Sequence, residues 1–420
     1  MKLRYDQNLL STVALFVLLA SCSPGPQAGG GIGGTGQIAS IVSGPITGFG
    51  SVFVSGYEYD TGQTAMLVDG KSGSQSDLKK GMIVRIKATV TEHYDTDEEL
   101  QRTANTLVYE DTVDGRVQSV APDGASLVVL GQTITVSTKT VVDESIAGRN
   151  VLSLVPGRDL VRISGFVTGD GMIRATFIGL KTVDIKVEST DDEVKGFIKN
   201  HKAEQKTFEV GALTVDYRNA VLNDMPSQSS DIWDGLLVDV VGKQVVSGGT
   251  GSGVRMTATL VWPEVLTSAD SEDAKVEEFV TRVVGSGDFF LGNLHVLTNA
   301  GTVFEGGTSN DILVGAHIEV HGPLVDGIVK ATKVELKEAE LKGVVAQVLE
   351  PGNFFLGNVQ VVTNAVTTFH GGTLGAIEVG THLEVYGSLS SGMVHAAKVE
   401  FEREYRAAVD PLTSQANLLP

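Results

Sequence analysis

Three polar side chains on one predicted strand have the types and spacing of a metal site. His317, Glu319 and His321 alternate with apolar residues in the run His317-Ile318-Glu319-Val320-His321. Because successive side chains point to opposite faces of a strand, all three project from one face and offer two nitrogens and a carboxylate. The corresponding strand further along reads His382-Leu383-Glu384-Val385-Tyr386, which lacks the third ligand. We therefore predict a solvated outer face and no bound metal.

Other patterns that are typical of reactive sites are incomplete. The acidic runs 95–99 and 191–193 lack the spacing and the Gly of a calcium loop, so we interpret them as solvated linkers. Gly251-Ser252-Gly253 lies in a Gly-rich turn, not on the strand-to-helix elbow of a nucleophilic serine. The Gly-rich stretch 29–36 is not followed by the Lys-Ser/Thr pair of a phosphate loop. The sequence predicts no catalytic residue and no cofactor, and thus a protein that is not an enzyme.

Two aromatic pairs are candidates for stacking against sugars or bases. They are Phe289-Phe290 and Phe354-Phe355. The chain carries 32 Lys and Arg against 51 Asp and Glu, a formal net charge of −19, which makes a nucleic acid an unfavourable partner. We therefore interpret both pairs as core residues.

The single cysteine follows a predicted signal peptide. The apolar stretch 9–20 is short for a bilayer span and typical of a signal-peptide core. It leads into Leu19-Ala20-Ser21-Cys22, which resembles the bacterial lipobox and implies cleavage before Cys22 and a lipid on its sulfur. Acyl chains would anchor the protein to the membrane through Cys22. Because Ser23 follows the cysteine, we expect a location in the cell envelope, on the periplasmic face of the outer membrane.

The remainder of the chain is built from repeats. Phe289-Phe290-Leu291-Gly292-Asn293 recurs as Phe354-Phe355-Leu356-Gly357-Asn358. A looser pattern of Gly, an alternating apolar run, a second Gly and Ala extends to five copies. The first Gly is Gly81, Gly157, Gly235, Gly315 and Gly380. The second is Gly165, Gly242, Gly322 and Gly387, with Ala88 in the first copy, and the Ala is Ala104, Ala175, Ala258, Ala331 and Ala396.

Each copy has the hydrophobic pattern of short strands. Apolar residues alternate with period two, as at Val161 and Ile163, and turn residues such as Asp170-Gly171 separate the runs. Helix signals are almost absent. Such small units bury little surface on their own, so we expect neighbouring copies to pack or to share strands.

A family resemblance rests on these repeats and on the opening segment. The run 44–54, GPITGFGSVFV, followed by units with Leu-Gly-X-X-Val/Ile and Val-X-Gly strands, resembles bacterial lipoproteins built from domain-of-unknown-function 5666 modules. The resemblance covers nearly all of the mature chain. It implies tandem small β-barrels similar to OB-folds, without an established activity or catalytic residue. The lengthened first and third copies depart from the compact pattern.

We therefore predict an all-β protein, a tandem array of about five small OB-like antiparallel β-barrel repeats after a signal peptide and a flexible tether. The predicted segments are a lipoprotein signal peptide (1–21), a Gly-rich tether (22–45), repeat 1 (46–110), repeat 2 (111–185), repeat 3 (193–264), an acidic linker (265–278), repeat 4 (279–338), repeat 5 (339–404) and a C-terminal tail (405–420).

Two classes of function fit this organisation. The first is a lipid-anchored, noncatalytic binding or scaffolding module of the cell envelope, with a protein or polysaccharide partner and no nucleic acid. The alternative is a metal-binding protein or enzyme whose site lies in the His-rich last two repeats. A passive spacer would lack any specific partner.

Overall fold

The described part of the protein is all β. The computed structural model describes residues 37–91, 100–181, 191–227, 233–245, 253–267, 269–357, 359–390 and 393–401. The predicted signal peptide, Cys22, the Gly-rich stretch 29–36, the acidic run 95–99 and the predicted tail lie outside these residues. Within them, no helix combines the length and the apolar character needed to cross a membrane.

The first two repeats form barrels 1 and 2. Barrel 1 contains β1 (Gln37–Phe49), β2 (Val52–Val54), β3 (Tyr57–Tyr59), β4 (Ala65–Val68), β5 (Lys71–Ser72), β6 (Ile83–Thr91) and β7 (Gln101–Tyr109). Barrel 2 contains β8 (Val113–Val120), β9 (Ser126–Val129), β10 (Gln132–Thr135), β11 (Val141–Val142), β12 (Leu160–Val167) and β13 (Ile173–Leu180).

The last three repeats have the same organisation. Barrel 3 contains β14 (Asp192–Lys202), β15 (Thr207–Val210), β16 (Leu213–Asp216), β17 (Val221–Leu222), β18 (Leu237–Val245) and β19 (Arg255–Pro263). Barrel 4 contains β20 (Ser271–Gly285), β21 (Asp288–Leu291), β22 (Leu294–Leu297), β23 (Val303–Glu305), β24 (His317–Val325), β25 (Ile328–Lys330) and β26 (Lys333–Leu336). Barrel 5 contains β27 (Ala339–Glu350), β28 (Asn353–Leu356), β29 (Val359–Val362), β30 (Thr368–His370), β31 (His382–Ser390) and β32 (Met393–Phe401). The helical turns among the described residues are single 3-10 turns at 75–77, 147–149, 151–153, 309–311 and 374–376.

Every repeat closes into a barrel through one circuit of strand pairs. In barrel 3, β14 pairs with β15, β15 with β16, β16 in parallel with β19, β19 with β18, and β18 with β14. The same circuit recurs in barrels 2, 4 and 5. In barrel 1 the bridge between Asp60 and Thr103 takes the place of this parallel pair, and β4 pairs in parallel with β7 beside it. The predicted array of small OB-like barrels is confirmed, and closure removes the open edges that promote aggregation.

The recurring glycines and alanine have definite places in this circuit. We number the five strands of the circuit in chain order, so that the fourth barrel strand is β6, β12, β18, β24 or β31. The first Gly of each copy precedes this strand and has a φ between 76° and 94°, which side chains rarely adopt. The second Gly lies at a bulge between the fourth and fifth barrel strands, as at Gly242, where a Cβ atom would overlap the carbonyl oxygen of Thr257. The Ala of the motif lies opposite this bulge and is buried, as at Ala258. The second Gly and the Ala of the repeat pattern therefore mark a point where two strands approach too closely for larger residues.

The barrels are joined by shared strands and shared cores. Ser40–Ser43 of β1 pairs in parallel with Asp273–Val276 of β20, and β8 pairs with β14, so barrel 1 extends barrel 4 and barrel 2 extends barrel 3. The buried apolar residues of barrels 2 and 3 form one continuous cluster. Ile41 of barrel 1 packs in the core of barrel 4, and Phe177 of barrel 2 packs in the core of barrel 1. The described barrels are thus not separate beads.

These shared strands correct three sequence predictions. The sequence predicts a tether that extends to residue 45, but β1 begins at Gln37 because its alternating residues pair with both β6 and β20. The predicted acidic linker 265–278 does not separate two repeats, since β20 begins at Ser271 as the first strand of barrel 4. The acidic run 191–193 is not a solvated linker, because strand β14 begins at Asp192 and Glu193 is half-buried.

Gly242→Ala tests the role assigned to the second Gly of the motif. The added methyl group would force the bulge of barrel 3 apart, and we expect a loss of about 1–3 kcal/mol in stability, seen as a lower Tm by differential scanning calorimetry. The matched control is Gly253→Ala, since a Cβ there has no heavy atom within 4 Å. An unchanged Tm for Gly242→Ala would contradict the steric account.

Candidate functional site

A charged residue occupies the same position in the fourth strand of every barrel. Two apolar, inward-facing residues flank it, so its side chain points away from the barrel core. The five residues are Arg85, Arg162, Asp239, Glu319 and Glu384. Asp239, Glu319 and Glu384 are at most 2% exposed. A charge at this depth requires a partner, and the partners connect the barrels.

The largest set of these partners surrounds the ammonium group of Lys195, on β14. Its Nζ atom lies 3.3 Å from Asp239 Oδ2, 3.3 Å from Glu264 Oε2 and 3.4 Å from Glu110 Oε2. Arg85 of barrel 1 closes the cluster, with its Nη2 atom 2.6 Å from Glu110 Oε2 and its Nη1 atom on Glu264 Oε1. We call these five residues the junction cluster. It ties barrel 1 to barrel 3 around buried charge.

Burial and charge act in opposite directions on the junction cluster. Burial would lower the pKa of Lys195, but Glu264, Asp239 and Glu110 raise it above its usual value. Burial raises the pKa of Asp239 to about 7, although the ammonium group of Lys195 opposes this effect. Burial and the nearby charge of Asp239 also raise the pKa of Glu193.

The junction cluster also has the ligand set of a metal site. Oxygen atoms of Glu110, Asp239 and Glu264 lie within 4.8 Å of one another. Lys195 already supplies a positive charge to all three carboxylates, and Arg85 pairs with two of them. These two cations offset most of the negative charge that would otherwise attract a divalent ion, so the cluster is best explained as a structural junction.

The three candidate metal ligands on β24, His317, Glu319 and His321, lie in two separate environments. His321 Nε2 lies 2.8 Å from Glu319 Oε1, and together with Glu335 they place ligand atoms within 4.8 Å of one another. His317 is not part of this group. Its Nε2 atom lies 3.1 Å from Glu277 Oε1, and its ring stacks on Phe279 with centroids 4.4 Å apart.

The outer face of β24 is not solvated, which corrects our sequence prediction. Glu319 is 1% exposed because Lys275 of β20 covers it, with Nζ 3.2 Å from Glu319 Oε1, while the same ammonium group donates to the carbonyl oxygen of Ser55 in barrel 1. Lys337 lies 3.5 Å from the other carboxylate oxygen. Burial would raise the pKa of Glu319, but His321, Lys275 and Lys337 lower it to about 2. This carboxylate is held ionised by groups already in place.

The sister strand in barrel 5 is also an interface. Glu384 is 2% exposed, and its Oε1 atom accepts a hydrogen bond of 3.0 Å from the Thr138 hydroxyl of barrel 2. The Tyr386 hydroxyl, which replaces the third predicted ligand, lies 2.6 Å from the same oxygen of Thr138. The polar face of the fourth strand therefore docks neighbouring barrels in both copies.

A cleft of about 350 Å³ opens at the seam between barrels 1 and 4. Barrel 1 supplies the aliphatic side chains of Ile38, Val90 and Leu100, together with Tyr57 and Arg102. Barrel 4 supplies polar groups, namely Glu272, Asp273 and His321. We call this space the seam cleft. It exists only because β1 and β20 pair, so each barrel contributes part of its lining.

The polar groups of the seam cleft are held in place. The Ser40 hydroxyl donates to Asp273 Oδ2 at 2.8 Å, across the paired strands. The guanidinium carbon of Arg102 lies 3.8 Å from the centre of the Tyr57 ring, and Lys275 Nζ lies 4.0 Å from it. Such cation–π contacts fix an aromatic ring that is 36% exposed. The cleft combines apolar contact area with positioned hydrogen-bonding groups.

The two aromatic pairs, interpreted from the sequence as core, each contribute one residue to the core and one to the outer face. Phe289 and Phe354 are buried inside their barrels. Phe290 lies on the outer face of barrel 4, stacked on His295 with centroids 4.5 Å apart and covered by the guanidinium group of Arg282 at 3.8 Å. Alternation along the strand explains the division, since adjacent residues point to opposite faces.

Part of this site was visible in the sequence and part was not. A charge between two apolar residues, as in Val238-Asp239-Val240, recurs in all five copies and marks the interface positions. Nothing in the sequence connects Tyr57 with His321, because their approach depends on pairing between distant barrels. The hydrogen bonds of His295 and His321 go to Asp288 and Glu319, so neither described contact is the serine–histidine pair of a nucleophilic enzyme.

Comparison with known proteins identifies some of these barrels. Residues 114–179, 279–335 and 342–400 match the family model described as Domain of unknown function (DUF5666). The matched regions fall on barrels 2, 4 and 5. The search of curated proteins found no match for the chain.

Glu278→Gln is expected to stabilise the protein at alkaline pH. Burial raises the pKa of the half-buried Glu278 to about 8. The negative charges of Glu277 and Glu264 also raise this pKa, whereas the hydrogen bond from the backbone N–H of Phe279 lowers it. The unfolded chain ionises this group near pH 4.3, so stability falls as the pH rises from about 4 to about 8. The Tm of the variant should therefore exceed that of the wild type at pH 8.5, and the two should converge towards pH 4. The control is the exposed Glu272→Gln on the same strand, and an equal gain there would contradict the prediction.

Zinc titration tests the Glu319–His321–Glu335 group. Because Lys275 and Lys337 already neutralise Glu319, we expect Zn²⁺ to raise the Tm of EDTA-treated protein by no more in the wild type than in His321→Ala. A zinc-dependent rise in Tm that His321→Ala abolishes and His370→Ala retains would instead support the metal-binding alternative.

Proposed function

We propose that this chain, which carries tandem DUF5666 modules, is a lipid-anchored, noncatalytic binding module of the cell envelope whose seam cleft binds a polysaccharide. The lipobox-like segment and Cys22 support the anchor, and the outer membrane is the expected location. The observation that carries the proposal is the composite seam cleft, to which barrels 1 and 4 both contribute.

The composition of the seam cleft favours a sugar ligand. A sugar ring presents an apolar face of C–H groups and an edge of hydroxyl groups. Leu100, Val90 and Ile38 offer apolar contact, while Arg102, His321 and the carboxylates of Glu272 and Asp273 offer donors and acceptors. Binding without reaction fits the pairing of these polar groups, because Asp273 is bonded to Ser40 and His321 to Glu319.

The size of the seam cleft favours a polysaccharide over a protein. A cleft of about 350 Å³ accommodates a small ligand or a short stretch of a chain. A stable protein–protein interface uses about 20–30 residues on each partner, whereas eight residues line this cleft. A protein partner is thus an outcome of the test and not the proposal.

The test measures co-sedimentation of the lipidated full chain with insoluble envelope polysaccharide and with purified surface polysaccharides. Leu100→Glu places a charge among the apolar groups of the cleft, and we expect it to weaken binding about tenfold. Leu100 is 43% exposed, so the variant should keep the wild-type Tm. The matched control is Val221→Glu on barrel 3, at a residue that is 59% exposed, and it should bind like the wild type.

Two further experiments test the lipid anchor and the class of partner separately. A Cys22→Ser chain should leave the membrane fraction while its purified form retains polysaccharide binding. A photo-cross-linking residue at position 100, introduced in cells, reports the class of partner. Absence of binding to every polysaccharide, equal loss in both glutamate variants, or a protein cross-linked at position 100 would each overturn the proposal.

A further inference from the structure

A second cleft, on barrel 3, has a different chemistry. Its volume is about 530 Å³, and its lining consists of Glu204, Gln205, Lys206, Thr207, Arg218 and Arg255. The chain has 32 Lys and Arg in 420 residues, yet three of these six lining residues are cationic. We call this space the cationic cleft. It shares no residue with the seam cleft.

The barrel circuit brings the three cations together from distant parts of the repeat. Lys206 belongs to the turn between β14 and β15, Arg218 follows β16, and Arg255 begins β19. Thr207 lies opposite Asp216 in the ladder between β15 and β16, and β16 pairs in parallel with β19 next to Arg255. The register of barrel 3 therefore sets the positions of these side chains.

Local contacts hold two of the cations in place. The backbone carbonyl of Lys206 accepts a hydrogen bond of 3.0 Å from the N–H of Tyr217, and Lys206 Nζ lies 5.9 Å from the Tyr217 ring. Arg218 Nε donates to Asp216 Oδ1 at 2.9 Å, which fixes this guanidinium group at the cleft. Tyr217 itself is buried in the core of barrel 3, so the residue that Lys206 contacts is held in place by the core.

Arg255 is the cation of the cleft whose side chain is most readily accessible to a ligand. Among the residues that the structure describes, it forms no ion pair, and its side chain is exposed at the cleft. Glu204 is the single carboxylate in the lining. In a chain with a net charge of −19, this concentration of positive charge around an exposed guanidinium is suited to an anionic ligand.

We propose that the cationic cleft binds an oxyanion group, a carboxylate, phosphate or sulfate, carried by an acidic polysaccharide. Guanidinium groups recognise such oxygens through paired N–H donors, and the Thr207 hydroxyl and the Gln205 amide add neutral donors at the same place. A thin anionic chain enters a cleft of this size. A flat anionic bilayer would also meet the acidic remainder of the surface, which repels it over a Debye length of about 8 Å.

Isothermal titration calorimetry on the full chain tests the proposal, with an oligogalacturonate as the acidic probe. Arg255→Gln should weaken binding about tenfold, and Arg218→Gln combined with it should weaken binding further. Raising the salt concentration should reduce the affinity of the wild type, because the contact is electrostatic. The matched control is Arg149→Gln, since Arg149 of barrel 2 is 68% exposed and lies 3.5 Å from Glu144.

Two other probes test whether binding requires a charged ligand and whether the anion belongs to a polysaccharide or to a lipid headgroup. An uncharged oligosaccharide of equal length should not bind at the cationic cleft, and Leu100→Glu should leave oligogalacturonate binding unchanged, which distinguishes this cleft from the seam cleft. Vesicles of phosphatidylglycerol that bind where oligogalacturonate does not would overturn the proposal in favour of a lipid headgroup. Absence of oligogalacturonate binding, or equal loss in Arg149→Gln, would also overturn it.

Discussion

Buried charge at the fourth strand of each barrel is the constraint on which the described architecture depends. A barrel of this size can turn a polar face to water, but Asp239 and Glu319 are instead enclosed by neighbours. Each enclosed charge needs a partner of opposite sign, and Lys195 and Lys275 provide it. Each ammonium group belongs to the same barrel as its carboxylate and also contacts barrel 1, Lys195 at Glu110 and Lys275 at the carbonyl oxygen of Ser55, so the buried charge is compensated where the barrels meet.

The two most similar repeats show how one surface serves different neighbours. In barrel 4 the carboxylate of Glu319 meets the ammonium group of Lys275, which also donates to Ser55 of barrel 1, whereas in barrel 5 that of Glu384 meets the hydroxyl of Thr138 in barrel 2. His321 bonds to Glu319 on its own strand, whereas Tyr386 bonds to Thr138. Divergence between the copies thus lies in the residues that face other barrels, while the glycines and alanine of the circuit stay in place. The seam cleft arises from packing between two barrels, whereas the cationic cleft is lined by residues of barrel 3 alone.

The sequence predicts the local structure well and the long-range structure poorly. Period-two alternation and the Gly–Gly–Ala motif identify the strands and the five copies, because both depend on residues close together in the chain. The acidic residues at 271–278 resemble a linker because their partners lie elsewhere, as Asp273 with Ser40 shows. The three residues of the β24 constellation share one face, as expected, but Phe279 draws His317 away from Glu319. Neither cleft follows from local pattern, since each is lined by several strands.

The parallel pairing of β1 with β20 has a consequence for the order in which the protein assembles. The bond from Ser40 to Asp273 spans 233 residues, so almost three complete repeats are synthesised between its two ends. Closing so long a loop is entropically costly and slow compared with closure of a barrel within its own repeat. Barrel 1 is the first repeat to leave the ribosome, yet its outer edge stays uncovered until barrel 4 exists. During that interval the backbone groups of β1 that pair with Asp273–Val276 have no partner from barrel 4.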